Sequence, residues 1–335
     1  MRTALVLVLV LVWHAPMQVD AQQRDFAVER APAFLEEVET RVTAPAEIEI
    51  IGGEPSDDER VTAIRLRVPG PDGLCSGLLI TDTEILTAAH CLCHANRRLK
   101  TAPLVTLADN SNLTKPEKWV EAVSYALYPG WDCRRPGTAP DLAVVGLIGS
   151  KLPPTQLDRL KPPNPQNDFL VSQLNEANAS AKKFCATYSL VPEIPMLPEL
   201  IQKGPRQLQA QGFGIADDGR SGIRRRVNLG VTSLACTSRH AVRRGCRPYS
   251  EMMMGAGRRD QTRHDTCSGD SGGPVFLLDQ SGRSRPVAVV SRAVSRLRGE
   301  PNRSCLLGGV YTHIGLPGVL NWLKKLGVSM DSSPC

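Results

Sequence analysis

The chain has 335 residues, 41% of them hydrophobic, with 40 lysines and arginines against 34 acids and a formal net charge of +6. That is long enough for a sizeable core, and too apolar and too evenly charged for a disordered or acidic solvating chain. Aromatics are scarce, and no apolar run approaches the roughly 20 residues that a membrane-spanning helix needs, so no membrane anchor is expected.

In chain order, Arg2 precedes an apolar run from Ala4 to Trp13, and VDA at Val19 to Ala21 follows with small residues, so residues 1–21 read as a secretory signal peptide. This predicts an exported protein, extracellular or periplasmic. Residues 22–49 form a charged segment with one weak helical run from Phe34 to Val42, read as a propeptide or linker. From Ile50 onward, short runs rich in β-branched residues (TAIRLRV, LCSGLLI, LVTLA, DLAVVGLI, RVNLGVTSL, PVFLL, PVAVVS) alternate with Gly, Pro and Asn breaks. Such spacing predicts an all-β, antiparallel barrel or sandwich. The pattern lapses near 150–206 into proline-rich connection, and LPGVLNWLKKLG closes the chain with Leu320, Leu323 and Leu326 at helical spacing. All ten cysteines follow the signal, an even number in an exported chain, which predicts a disulfide framework. Zinc held by Cys91, Cys93 and His94 is the weaker reading, since no second half completes a tetrahedral site; no metal or other cofactor is expected.

Chemistry gathers in three stretches: LTAAHC around His90, PDLAVVGL around Asp141 and DTCSGDSGGPVF around Ser271. A serine hydroxyl attacks poorly until a base removes its proton, and an imidazole base works best when a buried carboxylate fixes its tautomer and stabilises its cation. His90, Asp141 and Ser271 can fill those roles. Gly269, Gly272 and Gly273 permit a tight turn whose backbone N–H groups converge where a tetrahedral oxyanion would form. Taken singly, each residue has a plainer reading: a satisfied histidine, a strand-initiating aspartate, a serine in a turn.

Together and in this order, the motifs resemble the trypsin-like serine proteases with the chymotrypsin fold; GFG at Gly212 to Gly214 and GGVYT at Gly308 to Thr312 extend the likeness. The resemblance implies two antiparallel six-stranded β-barrels with a C-terminal helix, in a protease domain spanning 50–335. It implies a secreted serine endopeptidase acting on protein or peptide substrates as a monomer, through an acyl-enzyme. His90, Asp141 and Ser271 would form the triad, the N–H groups of Gly269 and Ser271 the oxyanion hole, and Ser291 would support Asp141 and line the cleft. Asp265, six residues before the nucleophile, would floor the specificity pocket, and a carboxylate there favours Arg or Lys before the scissile bond. Gly309 and Ala293 would form pocket walls. Where many relatives have SWG this chain has Ser291, Arg292 and Ala293, which leaves neighbouring-subsite preference open and could favour acidic residues. Implied disulfides are Cys75 with Cys91, Cys267 with Cys305 and Cys236 with Cys246, leaving Cys93 with Cys133 and Cys185 with Cys335.

In the resembling family, cleavage before I-[IV]-G-G frees an α-amine that pairs with the aspartate preceding the nucleophile; here these are Ile50 and Asp270. The preceding residue is Glu49 and the nearest upstream basic residue is Arg41, so self-activation at that bond is not expected. Maturation would need a Glu-tolerant protease, or trimming after a cut at Arg41. Between Arg220 and Arg303 there are 17 arginines against 6 acids, a possible polyanion-binding face, though a solvated surface is the plainer account. The Arg224 to Arg226 run would be a target for an Arg-directed enzyme unless shielded. Two further readings stay open: a catalytically silent secreted binding module on the same fold, and a protease of non-basic specificity.

Overall fold

A computed structural model describes residues 50–66, 73–81, 83–106, 119–147, 149–150, 152, 194–216, 221–255, 264–279, 283–295 and 305–328. The expected signal peptide, the segment up to Glu49 with its weak helical run, most of the 150–206 connection, Cys185 and Cys335 lie outside the described residues. No helix among the described residues is long and apolar enough to cross a membrane.

Strands dominate. In chain order they are β1 (Glu54–Pro55), β2 (Val61–Arg65), β3 (Leu74–Leu79), β4 (Glu84–Thr87), β5 (Cys93–His94), β6 (Arg97–Arg98), β7 (Leu104–Thr106), β8 (Val120–Glu121), β9 (Ser124–Leu127) and β10 (Ala143–Gly146). Helix α1 (Leu197–Lys203) follows, then β11 (Gln207–Gly212), β12 (Arg225–Ser233), α2 (Arg239–Arg243), β13 (Glu251–Met254), β14 (Pro274–Leu278), β15 (Ser284–Ala293), β16 (Gly309–His313) and α3 (Pro317–Lys325). One sheet runs β8-β7-β2-β3-β4-β10-β9 and curls into a half-barrel among the described residues. The other runs β12-β11-β14-β15-β16-β13, closes through β12 with β13, and carries β1 on the free side of β12. Every pairing is antiparallel, for example Leu86 with Val144 and Val275 with Ala288. This is the two-barrel, chymotrypsin-like architecture, with six strands in the closed member.

Burial explains which strands the sequence displays. Along β12 the burial alternates, Val227 and Leu229 facing inward with Asn228 exposed, which is the period-2 signal of a barrel wall. By contrast, β10 is buried at all four positions and reads as a continuous apolar run. Leu208 and Ala210 of β11 face the second core, while Gln209 and Gln211 are also buried and hydrogen-bonded: Ser56 Oγ donates to Gln211, and Gln211 donates to Gln209. A strand written QLQAQG therefore carries little β-branched signal.

Two elements correct the sequence expectation. The proline-rich connection ends in a helix, α1, because Pro198 sits in the first turn, where no N–H is needed, and Gly204 caps the end in the left-handed region at φ 54°. The terminal helix forms, but its buried stripe is Val319, Trp322 and Leu323, with Leu320 only half-buried. Trp322 packs edge-on against Tyr128 at 5.2 Å, fastening α3 to the first sheet's core cluster.

Candidate active site

His90 lies in the short 3-10 turn Ala89–Leu92 that follows β4, and a Cys75–Cys91 disulfide ties that turn to β3. Asp141 stands just before β10, near the end of the loop that follows β9. The fold brings the two together. Asp141 Oδ2 is 2.8 Å from His90 Nδ1, and Oδ1 accepts the His90 backbone N–H at 2.9 Å. From the other sheet, Ser291 Oγ donates to Asp141 Oδ2 at 2.6 Å. The Asp141 side chain is 4% exposed and that of His90 35%. Burial pulls the His90 pKa down, but the charge and hydrogen bond of Asp141 outweigh it and hold the imidazole above its ordinary value; Arg292 opposes them. Burial alone would raise Asp141, yet His90 and the Ser291 hydroxyl hold it below the usual carboxylate value. A carboxylate on Nδ1 leaves Nε2 as the proton acceptor.

Ser271 sits in a loop packed between the sheets. Gly269 and Gly272 adopt φ of 99° and 85°, a region that favours glycine, and a Cβ on Gly272 would run into Thr87 and the Ser76 carbonyl. The turn is fixed by bonds from Gly273 N–H to the Asp270 carbonyl, 2.8 Å, and from Gly272 N–H to that of Val290, 2.8 Å. Ser76, on β3, contributes three more: its N–H donates to the Ser271 carbonyl at 2.7 Å, its Oγ donates to the Gly269 carbonyl at 2.9 Å and accepts Phe213 N–H at 2.9 Å. Among the described residues, neither Gly269 N–H nor Ser271 N–H donates a hydrogen bond, and none joins Ser271 Oγ to His90. Ser271, His90, Asp141 and Ser291 line one cavity of about 540 Å³.

Asp265 is 1% exposed. It accepts Thr266 N–H at 2.8 Å and Gly308 N–H at 3.0 Å, and burial, opposed by these and the backbone of Leu306 and Leu307, pushes its carboxyl up to about 6. Gly309 is buried in β16, where a Cβ would meet the Tyr311 ring, and Ala293 is exposed at the end of β15. The neighbouring segments 256–263 and 296–304 lie outside the described residues. Asp270 is fully buried, accepts Gly214 N–H at 2.7 Å and Cys267 N–H at 2.8 Å, and is pushed up to about 7, burial being the chief cause. Ile50 is fully buried in the second barrel's core cluster, and the Ile51 carbonyl accepts Asp265 N–H at 3.1 Å.

The sequence reading missed a buried ion cluster beside the cavity. Glu251, at 0% exposure, accepts two bonds from Arg292 at 2.8 Å each and is bridged side-on by Arg247. Arg292 Nη2 also reaches the Gly245 carbonyl at 2.6 Å, and Arg247 Nη1 reaches the Ala139 carbonyl at 2.8 Å. Burial would raise Glu251, but both guanidinium groups hold it below the ordinary range, so it is ionised. Its signal was a lone acid ahead of an apolar run, SEMMM, inside an arginine-rich stretch. Ser76 gave none, being one more small residue in a strand.

Disulfides join Cys93 to Cys133, Cys236 to Cys246 and Cys267 to Cys305, so Cys91 and Cys93 are both bonded. Of the 17 arginines, Arg224 and Arg225 are buried and Arg226, Arg247, Arg283, Arg285 and Arg292 are ion-paired, which weakens the polyanion reading. In the Arg224 to Arg226 run, Arg225 and Arg226 lie inside β12, with Arg224 and Arg225 buried and the Arg226 side chain partly exposed. The family model described as Trypsin matches residues 50–322.

Proposed function

From the trypsin family, to which this chain belongs, we propose a secreted serine endopeptidase that cleaves after Arg or Lys. The observation that carries the reading is the Asp141–His90 pair opening onto the same cavity as Ser271, beside two backbone N–H groups with no partner among the described residues. His90 takes the proton from Ser271 Oγ as that oxygen attacks the scissile carbonyl. Asp141 stabilises the imidazolium without itself taking the proton. The negative oxygen of the tetrahedral intermediate accepts from Gly269 N–H and Ser271 N–H. His90 then returns the proton to the leaving amine, and a water repeats the sequence to free the acyl group. The missing hydrogen bond from Ser271 to His90 does not weigh against this, since such contacts tighten when substrate binds.

Asp265 supports the basic preference: a buried carboxylate served by backbone N–H groups gains most from an incoming guanidinium or ammonium group. Activation by release of Ile50 is supported by the burial of Ile50 and of Asp270, whose carboxylate an α-amine would neutralise. Export is supported by the signal-like residues 1–21 and by the disulfides. The test is a chain beginning at Ile50, offered chromogenic peptides ending in Arg, Lys, Phe, Ala or Glu, with Ser271→Ala as control. Turnover of Arg and Lys peptides is expected. No turnover of any, with no labelling by an organophosphate, overturns the enzyme; turnover confined to Phe or Ala overturns the role of Asp265.

A further inference from the structure

The cavity that holds Ser271 has two guanidinium groups in its wall. Besides the catalytic residues it is lined by Trp131, Pro136, Gly137, Arg247 and Arg292. Two guanidinium groups share one carboxylate, Glu251, so the cluster keeps one net positive charge. A guanidinium has five N–H donors. Four hydrogen bonds leave each of Arg292 and Arg247: to Glu251 twice, Gly245 and Ser291 from the first, and to Glu251 twice, Gly137 and Ala139 from the second. One donor on each therefore has no partner among the described residues. Among the described residues the one carboxylate lining the cavity, Asp141, already accepts three hydrogen bonds. Asp132, on the loop that includes Trp131, is paired with Arg135.

We propose that this wall receives an acidic side chain of the substrate, at the second to fourth residue before the scissile bond, and that Arg292 and Arg247 determine that preference. The inference rests on the reading of the chain as an Arg- or Lys-directed endopeptidase. A substrate running along the Ser291–Ala293 end of β15 would carry those residues past the paired guanidinium groups. Glu251 holds both of them in place from beneath, so a substrate carboxylate meets fixed cations and spends little entropy in ordering them. The chain itself contains sequences of this type: EEVETR at Glu36 to Arg41 places Glu39 two residues before Arg41, and Arg30 follows directly on Glu29. The cleft is thus matched to the arginines of its own leader segment, while the Glu49–Ile50 bond lacks the basic residue that Asp265 would hold.

The experiment compares acyl-EEVETR and acyl-QQVQTR, each with a chromogenic leaving group, on the chain beginning at Ile50. The EEVETR peptide is expected to have about fivefold higher kcat/KM at low salt, the size of a partly exposed charge pair, shrinking toward unity at about 1 M salt. Arg292→Gln makes the cluster neutral and should abolish the preference. Glu251→Gln raises its net charge and should increase it, with organophosphate labelling reporting that each variant is folded and reactive. Equal rates on both peptides, or a preference untouched by Arg292→Gln, overturns the inference while leaving the endopeptidase reading intact. Failure of both peptides together with absent labelling overturns the endopeptidase reading.

Discussion

Asp141 lies where the two sheets meet, whereas Asp265 and Asp270 lie inside the second barrel's loops, and all three are almost wholly buried. They differ in what compensates the charge. Asp141 has an imidazole on one oxygen and a hydroxyl from the opposite sheet, and stays ionised below the usual range. Asp265 and Asp270 have backbone N–H groups as hydrogen-bond partners and are pushed up to about 6 and about 7. Asp141 has its partners complete within the fold. In the proposed function, the other two acquire their cations from a substrate side chain and from a new chain terminus, so binding and activation draw on energy the fold withholds.

The largest effect should come from breaking the complete pair. Asp141→Asn leaves the shape but reverses the tautomer preference of His90, and kcat should fall about 10⁴-fold, the size established for triads of this kind. A fall of less than about 100-fold would remove Asp141 from the triad. Asp265→Asn should lower kcat/KM on Arg substrates roughly 100-fold or more, since it leaves an incoming charge buried and unpaired. Organophosphate labelling should persist in that variant, because the reacting centre is untouched. Labelling lost along with Arg turnover would mean that Asp265 supports the loop instead of reading the substrate.

Asp270 separates itself from Asp141 by the sign of its pH dependence. A depressed carboxylate such as Asp141 stabilises the fold above its unfolded pKa, and that stability is lost as pH falls. A raised one works the other way. Between about 4, where the unfolded side chain ionises, and about 7, the folded chain holds a proton the unfolded chain has released, so stability falls as pH rises. Release of Ile50 should cancel this by supplying an ammonium partner. With Ser271→Ala to prevent autolysis, the Tm gained on going from the full chain to the chain beginning at Ile50 should grow from pH 4 to pH 7. It should shrink again in alkali as the α-amine, ordinarily near 8, loses its proton. A gain independent of pH would break the pairing of Ile50 with Asp270.

Sequence reading reached what is local and missed what is assembled. His90, Asp141 and Ser271 are each framed by short strings, and seven β-branched runs became strands, because those signals sit within a few residues. Glu251 and Arg292 are 41 residues apart and meet because β13 and β15 both flank β16. Nothing local in EMMM or VSRAV announces an ion pair. Ser76 lies 193 residues from the carbonyl it holds, Gly269, and only the packing of one sheet on the other makes it part of the loop that carries Ser271. Ser291 is pointed to by the resemblance alone, and its 2.6 Å bond to Asp141 is a contact between sheets as well. Ser291→Ala should cost about tenfold in kcat, the loss of one hydrogen bond to a charged group.

The smallest expected effect tests whether the ion cluster and the Asp141–His90 pair are electrically one site. Asp141 raises the His90 pKa and Arg292 lowers it, so the acidic limb of kcat/KM should lie above the ordinary histidine value near 6.5. A neutral base is needed for attack, so activity appears as pH rises through that limb. Arg292→Gln removes the opposing charge and should move the limb to higher pH, whereas Glu251→Gln, which leaves two cations uncompensated, should move it lower. The probe should be an acyl-arginine ester without residues before the arginine, so that subsite preference does not enter. Shifts of opposite sign in the two variants would show that the arginines tune the base they flank. An unmoved limb in both would confine Arg247, Glu251 and Arg292 to shaping the cavity wall, and the difference between the self-sufficient triad carboxylate and its neighbours would then extend to the histidine it holds.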